Sequence, residues 1–182
     1  LFISQPAVTL QLQALERDLG DYLSAFEGLS GHAMQAAIDH VPDLRNPFAP
    51  DPAPDFAILI ELEAASSKAY TGLDLQEALN QFLQDQFEQT IENAVIGNGH
   101  ELWHLRHSIS EGARAMGKPI AFDVSVPRSR IMAFCRAARA VVAQDFPFLH
   151  VVDFGHIADG GVHFNVIWRS DASQTYDPAE VS

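Results

Sequence analysis

Apolar residues recur at helical spacing near the N-terminus: Val8, Leu12, Leu15, Leu19, Leu23 and Phe26. This spacing predicts an amphipathic helix over 4–29, interrupted or ended near Gly20 and again at Gly28. A weaker helical patch over 34–38 leads into a loop, where Pro42, Pro47, Pro50, Pro52 and Pro54 preclude a regular helix. Residues 56–62 then form a nearly continuous apolar run of strand length, predicting a strand buried on both faces at the centre of a sheet.

Asp74 is placed to cap a helix running through Leu75, Leu79, Phe82 and Phe87. A short strand is expected over 91–96. A helix is expected over 98–116, closed by Gly117 with Pro119 just beyond. Ile120, Phe122, Val124 and Val126 alternate with smaller or polar residues, as in a half-buried strand. Pro127 sits where a further helix would begin. Strands over 148–156 and 162–169 then make a hairpin, and the polar remainder to Ser182 reads as loose.

A hairpin requires antiparallel pairing, so the expected class is α+β: a largely antiparallel sheet with helices packed on one face. Dinucleotide-binding, P-loop and short-repeat signatures are absent from the sequence.

Composition narrows the function classes. The formal net charge is −13 and is carried by the first part of the chain, with sixteen acids against three bases up to Glu101 and eight of each from Leu102 onward. Such a balance argues against nucleic acid as a partner. The single cysteine, Cys135, permits no internal disulfide and falls within a helical apolar pattern, as a packed thiol would. No apolar run is long enough for a membrane span and no signal peptide is visible, so a cytoplasmic or membrane-peripheral location is expected. A start at Leu1 rather than Met suggests a processed chain or an excised piece.

The hairpin carries the chemistry of most interest. If Asp159 and Gly160 are the central residues of a two-residue turn, His156 falls directly opposite His163. Cross-strand Cβ atoms ~4.5–5.5 Å apart would let two imidazoles share a metal with bonds of ~2.0–2.1 Å. The same two histidines also fit exposed strand positions with no ligand. In the second strand Val162, Phe164, Val166 and Trp168 point one way, and His163, Asn165 and Arg169 the other.

Two further signals lie on the 98–116 helix. His100-Glu101-Leu102-Trp103-His104 matches the H-E-x-x-H pattern of zinc peptidases, without the extended form's third histidine; a solvent-facing helix explains it equally. Arg106 and Ser110 stand one turn apart, where a guanidinium and a hydroxyl could hold a carboxylate.

Three ordered stretches resemble the FAD-linked oxidase family, flavoproteins that include D-lactate, glycolate and D-2-hydroxyglutarate dehydrogenases. They are Leu102-Trp103-His104-Leu105-Arg106-His107-Ser108-Ile109-Ser110, Phe122-Asp123-Val124-Ser125-Val126-Pro127, and Gly155-His156-Ile157-Ala158-Asp159-Gly160-Gly161-Val162-His163-Phe164-Asn165. The segments 23–27 and 46–62 resemble the family's cap region. The resemblance implies that residues 1–182 are a ferredoxin-like, C-terminal cap and substrate domain. The FAD-binding domain and the final segment, with a third metal ligand and a catalytic histidine, lie outside this sequence. It further implies that His156 and His163 bind a divalent metal, usually zinc, that Arg106 and Ser110 hold the substrate carboxylate, and that Asn165 lies near the substrate. The implied reaction oxidises a small, D-lactate-like 2-hydroxy acid to the 2-oxo acid, with hydride transfer to FAD and an electron acceptor that the resemblance leaves unidentified. The isolated fragment is expected to be inactive. Two positions depart from the family pattern: Ala121 stands where some members carry a lysine for a second substrate carboxylate, and Gly161 replaces a common asparagine. The alternatives from the residues alone are a non-catalytic α+β metal-binding module and an H-E-x-x-H zinc peptidase.

Overall fold

The computed structural model describes residues 8–64, 73–86, 91, 93–97 and 99–169. Helix α1 (Val8–Leu19) ends in a 3-10 turn at Gly20–Tyr22, and the chain then extends as strand β1 (Leu23–Ser30). The expected helix over 4–29 therefore stops at Leu19. Leu23 and Phe26 continue its spacing, yet they face β2 (Phe56–Leu62), with Phe26 opposite Ile60 and Leu29 opposite Ala57. Pairing along a whole strand outweighs a spacing that merely allows a helix.

Ser30 caps helix α2 (Gly31–His40) by accepting a hydrogen bond from the Ala33 amide at 3.2 Å. Asp74 caps α3 (Leu75–Gln86) as expected, accepting from the amides of Gln76 and Glu77. Phe87 lies outside the described residues, and so does the polar remainder over 170–182. Between α3 and α4 only Ile91 makes a strand-like bridge, so no strand forms over the described part of 91–96. Helix α4 (Gly99–Met116) runs directly into β3 (Gly117–Ser125). Glycine is required at that junction, because a Cβ on Gly117 would lie 2.1 Å from the Trp168 carbonyl oxygen. Pro127 precedes a 3-10 turn (Arg128–Arg130) that leads into α5 (Ile131–Asp145). Strands β4 (Leu149–Gly155) and β5 (Gly161–Arg169) follow as the last elements among the described residues.

The five strands form one antiparallel sheet in the order β2-β1-β4-β5-β3, confirming the α+β class. The apolar run of β2 does not mark a central strand. It lies at an edge, and its continuity reflects burial from both faces rather than neighbours on both sides. β3 forms the other edge, where a proline at position 119 costs the sheet little.

Helices cover both faces of the sheet rather than one. Phe26, Ile58, Val162 and Phe164 face α1 and α5, whereas Leu29, Ala57, Val152, Phe154 and Ile167 face α2 and α4. The reason is visible in β5, whose Ile167 and Trp168 are both buried despite pointing to opposite sides. Cys135 packs beneath the sheet at 3% exposed, and burial pushes its thiol pKa up to about 12, with the nearby Asp153 carboxylate adding to the shift.

Candidate functional site

The β4–β5 connection is wider than the expected two-residue turn. His163 pairs with Phe154, not His156, and the loop spans residues 156–160. Within it the Asp159 side chain and the His156 carbonyl both accept from the Gly161 amide, while Gly160 adopts φ +88°. Ile157, 4% exposed, anchors the loop: a Cβ on Gly28 would lie 2.9 Å from it. Burying this side chain on β1 favours the wider loop over the tight turn that Asp-Gly suggested.

The histidines nevertheless meet. Their ring centroids are 5.9 Å apart and the planes nearly perpendicular at 73°. Each has a carboxylate on Nδ1. Asp123 lies directly opposite His163 in the β3–β5 ladder and accepts its Nδ1 hydrogen bond at 2.5 Å. Glu27 accepts from Nδ1 of His156. This second contact also follows from strand register: Gly28 pairs with Gly155 and Leu29 with Phe154, so one step further brings Glu27 to His156. An ionised carboxylate only accepts, so both imidazoles are in the Nδ1–H form and, when neutral, keep a lone pair on Nε2.

Arg106 enters from above on α4. That helix closes onto α2 through small residues, since a Cβ on Gly112 would lie 2.4 Å from the Ala36 carbonyl oxygen. It is also tied to β2 by the Trp103 indole, which donates to Glu61 at 3.0 Å. The Arg106 guanidinium is buried, donates from Nε to the second oxygen of Glu27 at 2.8 Å, and lies 4.6 Å above the Phe154 ring. Phe154 in turn contacts His163, with ring centroids 5.1 Å apart. Glu27, Arg106, Phe154, His163 and His156 thus close a ring of contacts on one face of the sheet.

The remaining candidates are placed less closely. Ser110 is exposed while Arg106 is buried, because a four-residue step turns past the buried arc of α4. Asn165 is half-buried on the same face as His163, opposite Val152 and Ala121. His100 and His104 are both exposed on α4, with ring centroids 6.4 Å apart. Among the described residues no three His, Cys, Asp or Glu side chains converge on a point that could hold a metal, at the H-E-x-x-H stretch of α4 or at the β4–β5 loop. No described helix is long and apolar enough to cross a membrane.

Glu27 is the site residue that the sequence concealed. The helical spacing of apolar residues runs on through its strand, and a glutamate in an amphipathic helix signals solvent.

A family model described as "FAD linked oxidases, C-terminal domain" matches residues 6–181. The chain belongs to that family. Its relatives include a probable mitochondrial D-2-hydroxyglutarate dehydrogenase of Oryza sativa subsp. indica, 27% identical over 86% of this chain and 27% of that protein. It is also similar to the mitochondrial D-2-hydroxyglutarate dehydrogenase of Rattus norvegicus, at 29% identity over 91% of this chain and 30% of that protein. For the D-2-hydroxyglutarate dehydrogenase of Stutzerimonas stutzeri (strain A1501) the identity is 31%, over 80% of this chain and 30% of that protein. The chain therefore spans 27–30% of the length of these curated relatives.

Proposed function

We propose that this chain is the cap and substrate portion of an FAD-dependent dehydrogenase that oxidises a 2-hydroxy acid to the 2-oxo acid. Family membership and the relatives' names support the reaction class. The observation that carries the reading is the pair of carboxylate-held imidazoles beside a buried arginine.

Arg106 binds the substrate carboxylate through its terminal nitrogens. Nε is taken by Glu27 and the guanidinium face by Phe154, and among the described residues nothing else hydrogen-bonds the group. A guanidinium fixed on one edge meets a carboxylate with little further ordering. Ser110 and Asn165 flank the substrate, Ser110 from the exposed side of α4 and Asn165 from β5. His156 and His163 fit a divalent metal, zinc in our reading, because a carboxylate on Nδ1 is the usual support for a ligating imidazole. Two imidazoles make only half of a four-ligand shell, so further ligands must come from elsewhere. A divalent ion there would acidify the substrate hydroxyl, and a bound flavin would take up the hydride.

Two pointers to the substrate differ. The relatives' names favour D-2-hydroxyglutarate. Ala121, beside Asp123 on the edge strand, offers no cation for a second carboxylate and favours a D-lactate-like acid. Turnover of a panel of D- and L-2-hydroxy acids by the complete protein, followed by bleaching of flavin absorbance, decides between them. A colourless complete protein, or one that reduces no flavin with any 2-hydroxy acid, would overturn the proposal.

A further inference from the structure

Among the described residues only two carboxylates are buried, Glu27 and Asp153, and they are used differently. Asp153 gives both oxygens to Arg139, at 3.1 and 2.6 Å, in a two-pronged pair that ties β4 to α5. Glu27 gives Arg106 only one oxygen and spends the other on His156, whose side chain is 57% exposed. A carboxylate present only to neutralise Arg106 would match the guanidinium fork as Asp153 does.

We infer that Glu27 is a positioning residue shared by both halves of the site, setting the tautomer of His156 and the orientation of Arg106 together; this rests on the function proposed above. The contact with Nδ1 keeps the lone pair of His156 on Nε2, the ring nitrogen that Glu27 does not hold. The contact with Nε holds the guanidinium over Phe154 and leaves its terminal edge for a ligand. Glu27 is 3% exposed on a sheet strand and so holds both groups from a rigid support. Asp123, by contrast, is exposed and serves His163 alone.

The isosteric change Glu27→Gln separates this role from bulk packing. An amide has one accepting oxygen and one donating nitrogen. Either His156 shifts its proton to Nε2 and loses the lone pair there, or the Nε–H of Arg106 faces another N–H.

The test uses the complete, flavin-loaded protein. After treatment with a chelator, zinc affinity is measured by competition with a chromophoric chelator, and affinity for pyruvate and 2-oxoglutarate by titration calorimetry. Glu27→Gln is expected to weaken zinc binding by about 10- to 100-fold and to weaken oxo-acid binding roughly tenfold. The zinc effect should vanish in a His156→Ala background and the oxo-acid effect in an Arg106→Ala background. Asp123→Asn should weaken zinc binding alone. Unchanged affinities in Glu27→Gln, or losses that persist undiminished in both backgrounds, would overturn the inference. If Glu27→Gln does not fold, the wild-type protein with 15N-labelled histidine still answers: His156 must appear as the Nδ1–H form, and an Nε2–H signal overturns it. His163→Ala tells the two proposals apart. Wild-type zinc affinity and turnover in that variant would sink the proposed function itself, whereas its impairment beside an intact Glu27→Gln removes only the role of Glu27.

Discussion

His163 and His156 reach one another although the ladder sets Phe154, two residues before His156, opposite His163. A shift of two keeps every side chain on its face, so His163 remains on the side of Arg106 and Phe154. A shift of one would have turned it toward α5. Arg106→Ala should lower kcat/KM of the complete enzyme by about 10- to 100-fold while leaving its flavin spectrum unchanged, and Arg106→Lys should recover only part of it, since an ammonium cannot reproduce a fork. Steady-state kinetics on the preferred 2-hydroxy acid checks both. Cys135 gives a prediction of another kind. Its thiol ionises at 9.0 without perturbation and at about 12 in the fold, where desolvation dominates the shift. The folded state keeps its proton over the interval in which the unfolded chain has lost it. This contribution to stability is therefore complete below pH 9.0 and lost as pH rises to about 12. Urea titrations at about pH 8 and about pH 10.5 should show a larger loss in the wild type than in Cys135→Ala.

At the level of elements, β1 decides the site. Its alternation is blurred because Glu27 occupies an inward position between Ala25 and Leu29, so a two-residue period was hard to see and the three-residue spacing from α1 ran through it. The residue that breaks the pattern is the buried partner of Arg106 and His156, and local consistency is expected to fail where a strand carries such a polar group inward. The α2–α4 pair sets the height of Arg106 above the sheet, and its tolerance is small. Gly112→Val places side-chain atoms against the Ala36 backbone, which cannot retract as a flexible side chain could. A destabilisation of about 1–3 kcal/mol is expected, read as a lower urea midpoint with an unchanged slope. By contrast Asp74→Ala, which removes an exposed cap from α3, should cost only about 1 kcal/mol and leave the site untouched.

For the whole molecule, the sheet acts as a board on which one transverse row, Asp123, His163, Phe154 and Leu29, crosses four strands. Strands distant in sequence thereby supply neighbouring groups, and the helices on the two faces divide the labour. α2 and α4 build the site face, whereas α1 and α5 close the opposite one, where Arg139 and Asp153 join α5 to β4. Losing Arg139 would leave Asp153 buried without its cation. Arg139→Ala should therefore lower stability by about 2–4 kcal/mol, somewhat discounted for the partial exposure of the arginine, while zinc affinity of the complete protein stays within about twofold. A large fall in zinc affinity would show that the two faces are mechanically coupled.

Local pattern sufficed for whatever depends on neighbours in sequence: the cap at Asp74, the helix stop at Gly117, the alternating faces of β5 and the packed thiol of Cys135. These features follow from backbone sterics and side-chain period, which operate over a few residues. Motif resemblance added the histidines and the arginine, because their order along the chain is itself the signal. What the tertiary structure alone decided was partnership: β1 as a strand, the wider loop anchored by Ile157, and a buried glutamate joining α4 to the β4–β5 loop. Such contacts pair residues separated by 79 and 129 positions, and no local energy term distinguishes them from solvent-facing alternatives until the sheet has closed.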